Sequence, residues 1–371
     1  MAGDIAERVR RLVEASGLNQ AGFAAKAGLD ASKFSKSMVG VRRFTSLELA
    51  RIADIGGVTV DWLLGVERPA SALAARTRDS APSSEAEAIG EAERLAQHWL
   101  DLAYLGYRQE SVDVPAASGQ GASVDEGQRL AESALRRAAE HGVEPWRVRD
   151  LAGLVESVFG IDVRIMRFRH GYEGLSWADD TSRLMVLGTS EVPARQRFTI
   201  AHELGHLLAG DDQGLHLDLD LLDAAHKKKP SEKRANAFAA QFLLPREVLE
   251  AQQIRWSDRS FAALACELWV SPATLAWRLY NLKLIDRAQC TAFLRMRALD
   301  AAVLADRTDS HWEWLAATGQ PRLPWPLVRA LFQAYQDGKS TLRPLANLLR
   351  LDPETIRKAI DGAREESPLS P

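Results

Sequence analysis

The chain has 371 residues, enough for roughly two to three domains, and 46% of them are hydrophobic, enough for sizeable cores. Its 47 basic and 50 acidic residues leave a net charge of −3, so any affinity for nucleic acid has to be local. No apolar run reaches membrane-spanning length, no signal-peptide pattern opens the chain, and the two cysteines, Cys266 and Cys290, match no zinc spacing. Together these features predict a cytoplasmic protein with no membrane partner and no structural disulfide.

Ile5, Val9 and Leu12 recur at helical spacing and predict a first helix. A second is expected over 18–28, ending at Gly28, and a third runs from an N-cap at Asp30 to about Ser37. Two more, over 46–55 and 58–65, complete a five-helix pattern. The short turn around Gly28 suits a helix-turn-helix, whose second helix enters the major groove. Charge agrees locally: 26–43 holds Lys26, Lys33, Lys36, Arg42 and Arg43 against the single acid Asp30. In this layout residues 4–66 resemble the XRE (Cro/repressor-like) DNA-binding domain. The resemblance implies that Gln20 reaches a phosphate, that Ser32, Lys33, Ser35 and Lys36 face the groove, and that Arg42 and Arg43 lie on the backbone. It also implies double-stranded DNA as a partner and a homodimer reading paired half-sites. Phe34 is expected in the core. The alternative is a helical bundle with solvated charged faces that binds protein.

A linker is expected over 69–126. Its 69–84 and 110–125 stretches are rich in Ala, Ser, Arg or Gly and read as mobile. Between them 85–108 looks helical, with Ala92, Leu95, Trp99, Leu102 and Leu105 along one side. A dimer contact, a lid and a plain spacer all fit that helix.

Residues 127–250 are read as the enzymatic domain. Two amphipathic helices are predicted over 127–154, and strands over 160–168, 174–177 and 183–187. Such a sheet could take an extended peptide as an added strand along Arg183 to Leu187. A helix over 195–210 follows, stopped by Gly210. It holds His202, Glu203, Leu204, Gly205 and His206, an H-E-x-x-H motif. Positions i and i+4 lie one turn apart on one helix face, so both imidazoles can meet one metal ion. Glu203, beside the first of them, can act on the proton of a water there. The motif alone is expected by chance in roughly one chain in a hundred of this length, so its context decides.

A metzincin continuation would need Gly and His where Ala209 and Asp212 stand, and that reading fails. His216 falls in a charged loop. The better third ligand is Glu232, expected to open a second helix behind an N-cap at Ser231, with Ala235 and Ala239 letting the two helices approach. A Glu in a first turn can also be only a dipole partner.

Two blocks, Arg197-Phe198-Thr199 with Ala201 to His206, and Glu232 with Ala235-Asn236, Phe238-Ala239 and Leu243-Leu244-Pro245, resemble the ImmA/IrrE family of metallopeptidases. The resemblance implies His202, His206 and Glu232 as zinc ligands and Glu203 as general base and acid. Two His and a Glu suit Zn2+, and Mn2+ or Fe2+ could also occupy them. The connector 211–229, with five Asp and then Lys227 to Lys229, departs from the family and reads as a solvated loop.

Residues 251–371 are read as a C-terminal helical region. Segments 260–268 and 272–282 pair across a turn capped by Ser271, and 341–351 with 352–356 form a further pair. These pairs lack the basic face of 26–43 and are expected to pack rather than bind DNA. The fold class is therefore mainly α with a small β-sheet: an N-terminal five-helix bundle over 1–68, an α+β zincin-like core, and C-terminal helices. The functional expectation is a DNA-binding zinc endopeptidase that cleaves a repressor or antitoxin-like partner in a stress, phage or mobile-element circuit. The alternatives are a transcriptional regulator whose peptidase fold senses or binds a partner, and self-cleavage in 69–84 or 110–125.

Overall fold

The computed structural model describes residues 2–56, 63, 83–110, 123–168, 172–211, 215–218, 229–252 and 255–365. The chain divides into two compact units, 1–80 and 81–371.

In the first unit, helices α1 (Ala2–Ala15), α2 (Gln20–Lys26), α3 (Ala31–Met38) and α4 (Ser46–Gly56) surround one small core. Val9, Val13, Phe23, Phe34, Met38, Leu49 and Ile52 fill it, so Phe34 sits where its spacing placed it. Asn19 and Asp30 cap α2 and α3, accepting from the Gly22 and Lys33 amides at 2.8 Å each. The fifth helix expected over 58–65 falls, except for buried Leu63, outside the described residues.

The second unit is a helix–sheet–helix sandwich. α5 (Ser84–Tyr104), α6 (Ser123–Glu140) and α7 (Leu151–Phe159) precede strands β1 (Asp162–Met166), β2 (Gly174–Ala178) and β3 (Arg183–Gly188). Helix α8 (Pro193–Ala209), strand β4 (Leu215–Asp218) and helix α9 (Pro230–Leu243) follow. The strand order is β1-β3-β2-β4, with β1 parallel to β3 and the other two pairings antiparallel. Alternation along β3 serves both faces, as period two requires. Met185 and Leu187 pack with α6 to α9, while Leu184 and Val186 pack with α5.

Four expectations change here. The helix over 84–104 is neither lid nor spacer. Its stripe of Ala88, Ala92, Leu95, Trp99 and Leu102 is buried against one face of the sheet. The C-terminal helices do not stand apart either. Asp258–Glu267, Pro272–Asn281 and Arg287–Phe293 complete the core on the α8 face, and Trp325–Gln336, Arg343–Leu349 and Pro353–Glu365 complete the α5 face. His216 lies in β4, opposite Ser176, rather than in a loop. Finally, β3 is bonded on both sides, so Arg183 to Leu187 cannot accept an added strand.

Buried charge ties the layers together. Asp162, fully buried, accepts from Trp99 Nε1 (2.5 Å), Gln109 Nε2 (2.9 Å) and the Leu327 amide (3.1 Å), joining α5, β1 and the C-terminal helices. Glu156 takes Arg322 at 2.7 Å, and Arg164 meets Glu91 at 2.7 Å. The outer edge of β1 is closed by Arg322, which exchanges backbone hydrogen bonds with Ile165. Cys266 and Cys290 are both free thiols. No helix among the described residues is long and apolar enough to cross a membrane.

Candidate metal centre

α8 begins with Pro193 at its first turn and ends at Gly210, whose φ of 68° lies in the left-handed region that glycine adopts without strain. The helix runs through the interior: His202 and Glu203 are fully buried, and His206 is 1% exposed. α9 lies across it. Pro230 occupies the first helical turn and Lys229 the cap position, so Ser231 is inside the helix and not its cap. Glu232 is thereby carried in the first turn of α9 and is 6% exposed. The close crossing depends on Gly205. A Cβ there would stand 3.0 Å from Cδ1 and 3.1 Å from Cγ of Phe238, whose ring stacks on Phe242. Ala235 and Ala239 are buried on the same helix.

This crossing brings His202, His206 and Glu232 together. The two Nε2 atoms are 3.0 Å apart, His202 Nε2 is 3.3 Å from Glu232 Oε2, and His206 Nε2 is 3.4 Å from Glu232 Oε1. A tetrahedron with metal–donor bonds of about 2.1 Å has edges of about 3.4 Å, so these atoms have the spacing of three corners. Two imidazoles and a carboxylate, with no fourth side-chain ligand grouped with them among the described residues, fit a catalytic rather than a closed structural site.

A second layer supports the first. His206 Nδ1 lies 3.0 Å from Asp211 Oδ2, and a proton on Nδ1 leaves the Nε2 lone pair directed at the cluster. Asp211 also takes Arg234 of α9, whose other nitrogen reaches Glu126 of α6 at 3.3 Å. Sequence reading missed this relay. The signal was Gly210: its reversal turns the chain so that the Asp211 amide bonds the His206 carbonyl at 3.2 Å, placing the carboxylate beside the ring. Glu203 points toward β2, where a Cβ on Gly174 would lie 3.5 Å from its Oε1. Arg197, the basic residue of the motif, is buried and donates to the carbonyls of Pro145 (2.6 Å) and Val148, pinning the turn before α7.

The residues expected to meet DNA are all in the first unit. Gln20 opens α2 and is exposed, as are Ser32, Lys33, Ser35 and Lys36 on α3, and Arg43. Arg42 differs. It is half-buried and grips Glu48 through both guanidinium nitrogens at 2.9–3.0 Å.

Residues 156–280 match the sequence profile of the family described as IrrE N-terminal-like domain. The radiation response metalloprotease IrrE of Deinococcus radiodurans is 30% identical over 156 residues, covering 40% of this chain and 45% of the relative. Its namesake from Deinococcus deserti is 33% identical over 137 residues, covering 35% and 47%. The chain thus spans a little under half the length of these curated relatives. The matches support the ImmA/IrrE family for this part of the chain and a metallopeptidase as its class of enzyme.

Proposed function

We propose that the protein is a regulatory zinc endopeptidase that cleaves a repressor or antitoxin-like protein and binds double-stranded DNA through its first unit. The observation that carries the peptidase is the buried triangle of His202, His206 and Glu232 with Glu203 one residue from its first corner. A divalent cation held there would polarise a scissile carbonyl and make a neighbouring water easier to deprotonate. Glu203 takes that proton and delivers it to the leaving amine, from a site dry enough to strengthen its electrostatics. Asp211 keeps His206 in the tautomer that offers Nε2. β4, paired on one side only among the described residues, is the strand whose free edge would take an extended substrate.

DNA binding is supported by the exposed Ser32, Lys33, Ser35 and Lys36 on α3 behind the Gly28 turn. Arg43 is the backbone contact we favour over Arg42, which already has a carboxylate partner. A homodimer on paired half-sites belongs to the same proposal, and self-cleavage in 69–84 or 110–125 is the alternative to cleavage of a separate partner.

The test co-expresses the wild-type chain or Glu203→Gln with the proteins encoded beside it, under resting and DNA-damaging conditions. Intact-mass analysis should find a fragment of a neighbour, or of this chain, only where Glu203 is present. No fragment in either condition would favour a regulator that senses or binds without cutting.

A further inference from the structure

A cavity of about 210 Å³ lies among the C-terminal helices, between the end of Asp258–Glu267, helix Ala298–Leu304 and helix Thr308–Thr318. None of His202, Glu203, His206 and Glu232 lines it. An engineered apolar cavity of about 150 Å³ already takes up benzene, so there is room here for a slightly larger ring system.

Two indoles, Trp269 and Trp314, form part of the wall. Trp269 follows the helix end at Leu268 in a turn where its own amide bonds the Cys266 carbonyl at 3.3 Å and the Val270 amide bonds the Ala265 carbonyl at 3.2 Å. Its φ of 53° lies in the left-handed region, at the position where such a turn usually carries glycine. Glycine would close the turn without strain, so what Trp269 adds is its ring. That ring is held from outside the cavity. Nε1 donates to the Arg147 carbonyl at 3.0 Å, and the Arg149 guanidinium stands 5.9 Å from the ring centroid; neither arginine lines the cavity. With its one donor used elsewhere, the indole turns only carbon surface to the space. Trp314 stands against it at 5.4 Å between centroids and 77° between planes. A planar ring that stacks on one of these indoles meets the other edge-on, and aromatic pairs favour both arrangements.

The wall also sets the charge of its ligand. Apart from His311, its charged side chains are Glu267 and Arg307, one of each sign, and Glu267 faces Arg147 at 3.7 Å as well. Burial pushes the Cys266 thiol up, against the pull of Arg307, which keeps the sulfur protonated and uncharged. Ser310 and His311 add side-chain hydrogen-bonding groups to the wall.

We infer that this cavity binds a small neutral aromatic molecule of about indole size, seated in the corner between Trp269 and Trp314. Mostly carbon surface with a few polar groups is the usual make-up of a small-molecule site.

The full chain would be titrated calorimetrically with indole, and its thiols labelled with N-ethylmaleimide with and without indole. Of the two cysteines Cys290 is buried and Cys266, on the cavity wall, is partly exposed, so labelling of the folded chain reports on the cavity. The inference predicts saturable binding at one site per chain and a slowing of Cys266 labelling that follows occupancy. Trp269→Gly, which suits the left-handed backbone but removes the ring, should weaken binding about tenfold or more. Ala298→Phe, at an exposed position of the wall, fills the space and should abolish it. If Trp269→Gly does not fold, Ala298→Phe carries the test alone. No saturable binding up to the solubility of indole, binding that leaves Cys266 labelling unchanged, or binding that survives intact in Ala298→Phe overturns the inference.

Discussion

Asp211 is the residue through which three helices steady the candidate metal centre, because it holds His206 on one side and, on the other, Arg234, which also reaches Glu126. Replacing it by Ala should lower metal affinity about 10–100-fold, measured by competition against a chromophoric chelator. An unchanged affinity would reduce Asp211 to a tie between the α8 end and α9. Gly205 sets the distance at which Glu232 meets the two imidazoles. Gly205→Ala should cost about 1–3 kcal/mol in urea unfolding, since Phe238 has to yield by several tenths of an ångström. At this scale the sequence was most legible: spacing puts His202 and His206 on one helix face, and the resemblance carried by the second block pointed to Glu232, which the structure brings to them. The relay was not, because Arg234 is 23 positions from Asp211 and 108 from Glu126, and only packing joins them.

Elements were legible in their existence and less so in their partners. Helix 84–104 was expected from its apolar stripe, yet nothing in a stripe says which surface it covers. β4 was lost inside a charged connector, where Leu215 and Leu217 alternate over too few residues to stand out. The Ser231 cap failed because α9 starts at Pro230, two positions before the expected start at Glu232, which moves the cap to Lys229. The junction of α5, β1 and the C-terminal helices at Asp162 makes a pH prediction. Burial pushes the Asp162 carboxyl up to about 7, against the pull of Trp99, Leu327 and Gln109, and burial raises Glu156 as well. A raised folded-state value means that the folded protein holds the proton more tightly than the unfolded chain does. The contribution of Asp162 to stability is therefore complete below about pH 4 and is lost as pH rises through about 7. Melting curves of Asp162→Asn should show a shallower decline across that window than the wild type; an identical slope would contradict the assignment.

The whole molecule is two units of unequal size, and the larger one joins the helices of the candidate metal site to the C-terminal helices through both faces of a single sheet. Calorimetry of the full chain should therefore resolve two transitions, with Leu331→Ala lowering only the one that belongs to 81–371. Leu331 is 4% exposed in the α5-side core, and its truncation should cost about 2–5 kcal/mol. A shift of both transitions would mean that the units unfold together. The division falls between 80 and 81, inside the 69–126 stretch that the sequence suggested as a linker. The sandwich did not show itself there, because contacts between 84–104 and 325–356 span more of the chain than any local pattern can report.

The most direct test of a hydrolytic metal centre is elemental analysis of the purified chain alongside Glu203→Gln and Glu232→Ala. The wild type and Glu203→Gln should each carry one divalent ion per chain, with proteolysis only in the former, and Glu232→Ala should lose the ion. An ion retained in Glu232→Ala, or cleavage that persists in Glu203→Gln, would contradict the roles assigned to the two carboxylates.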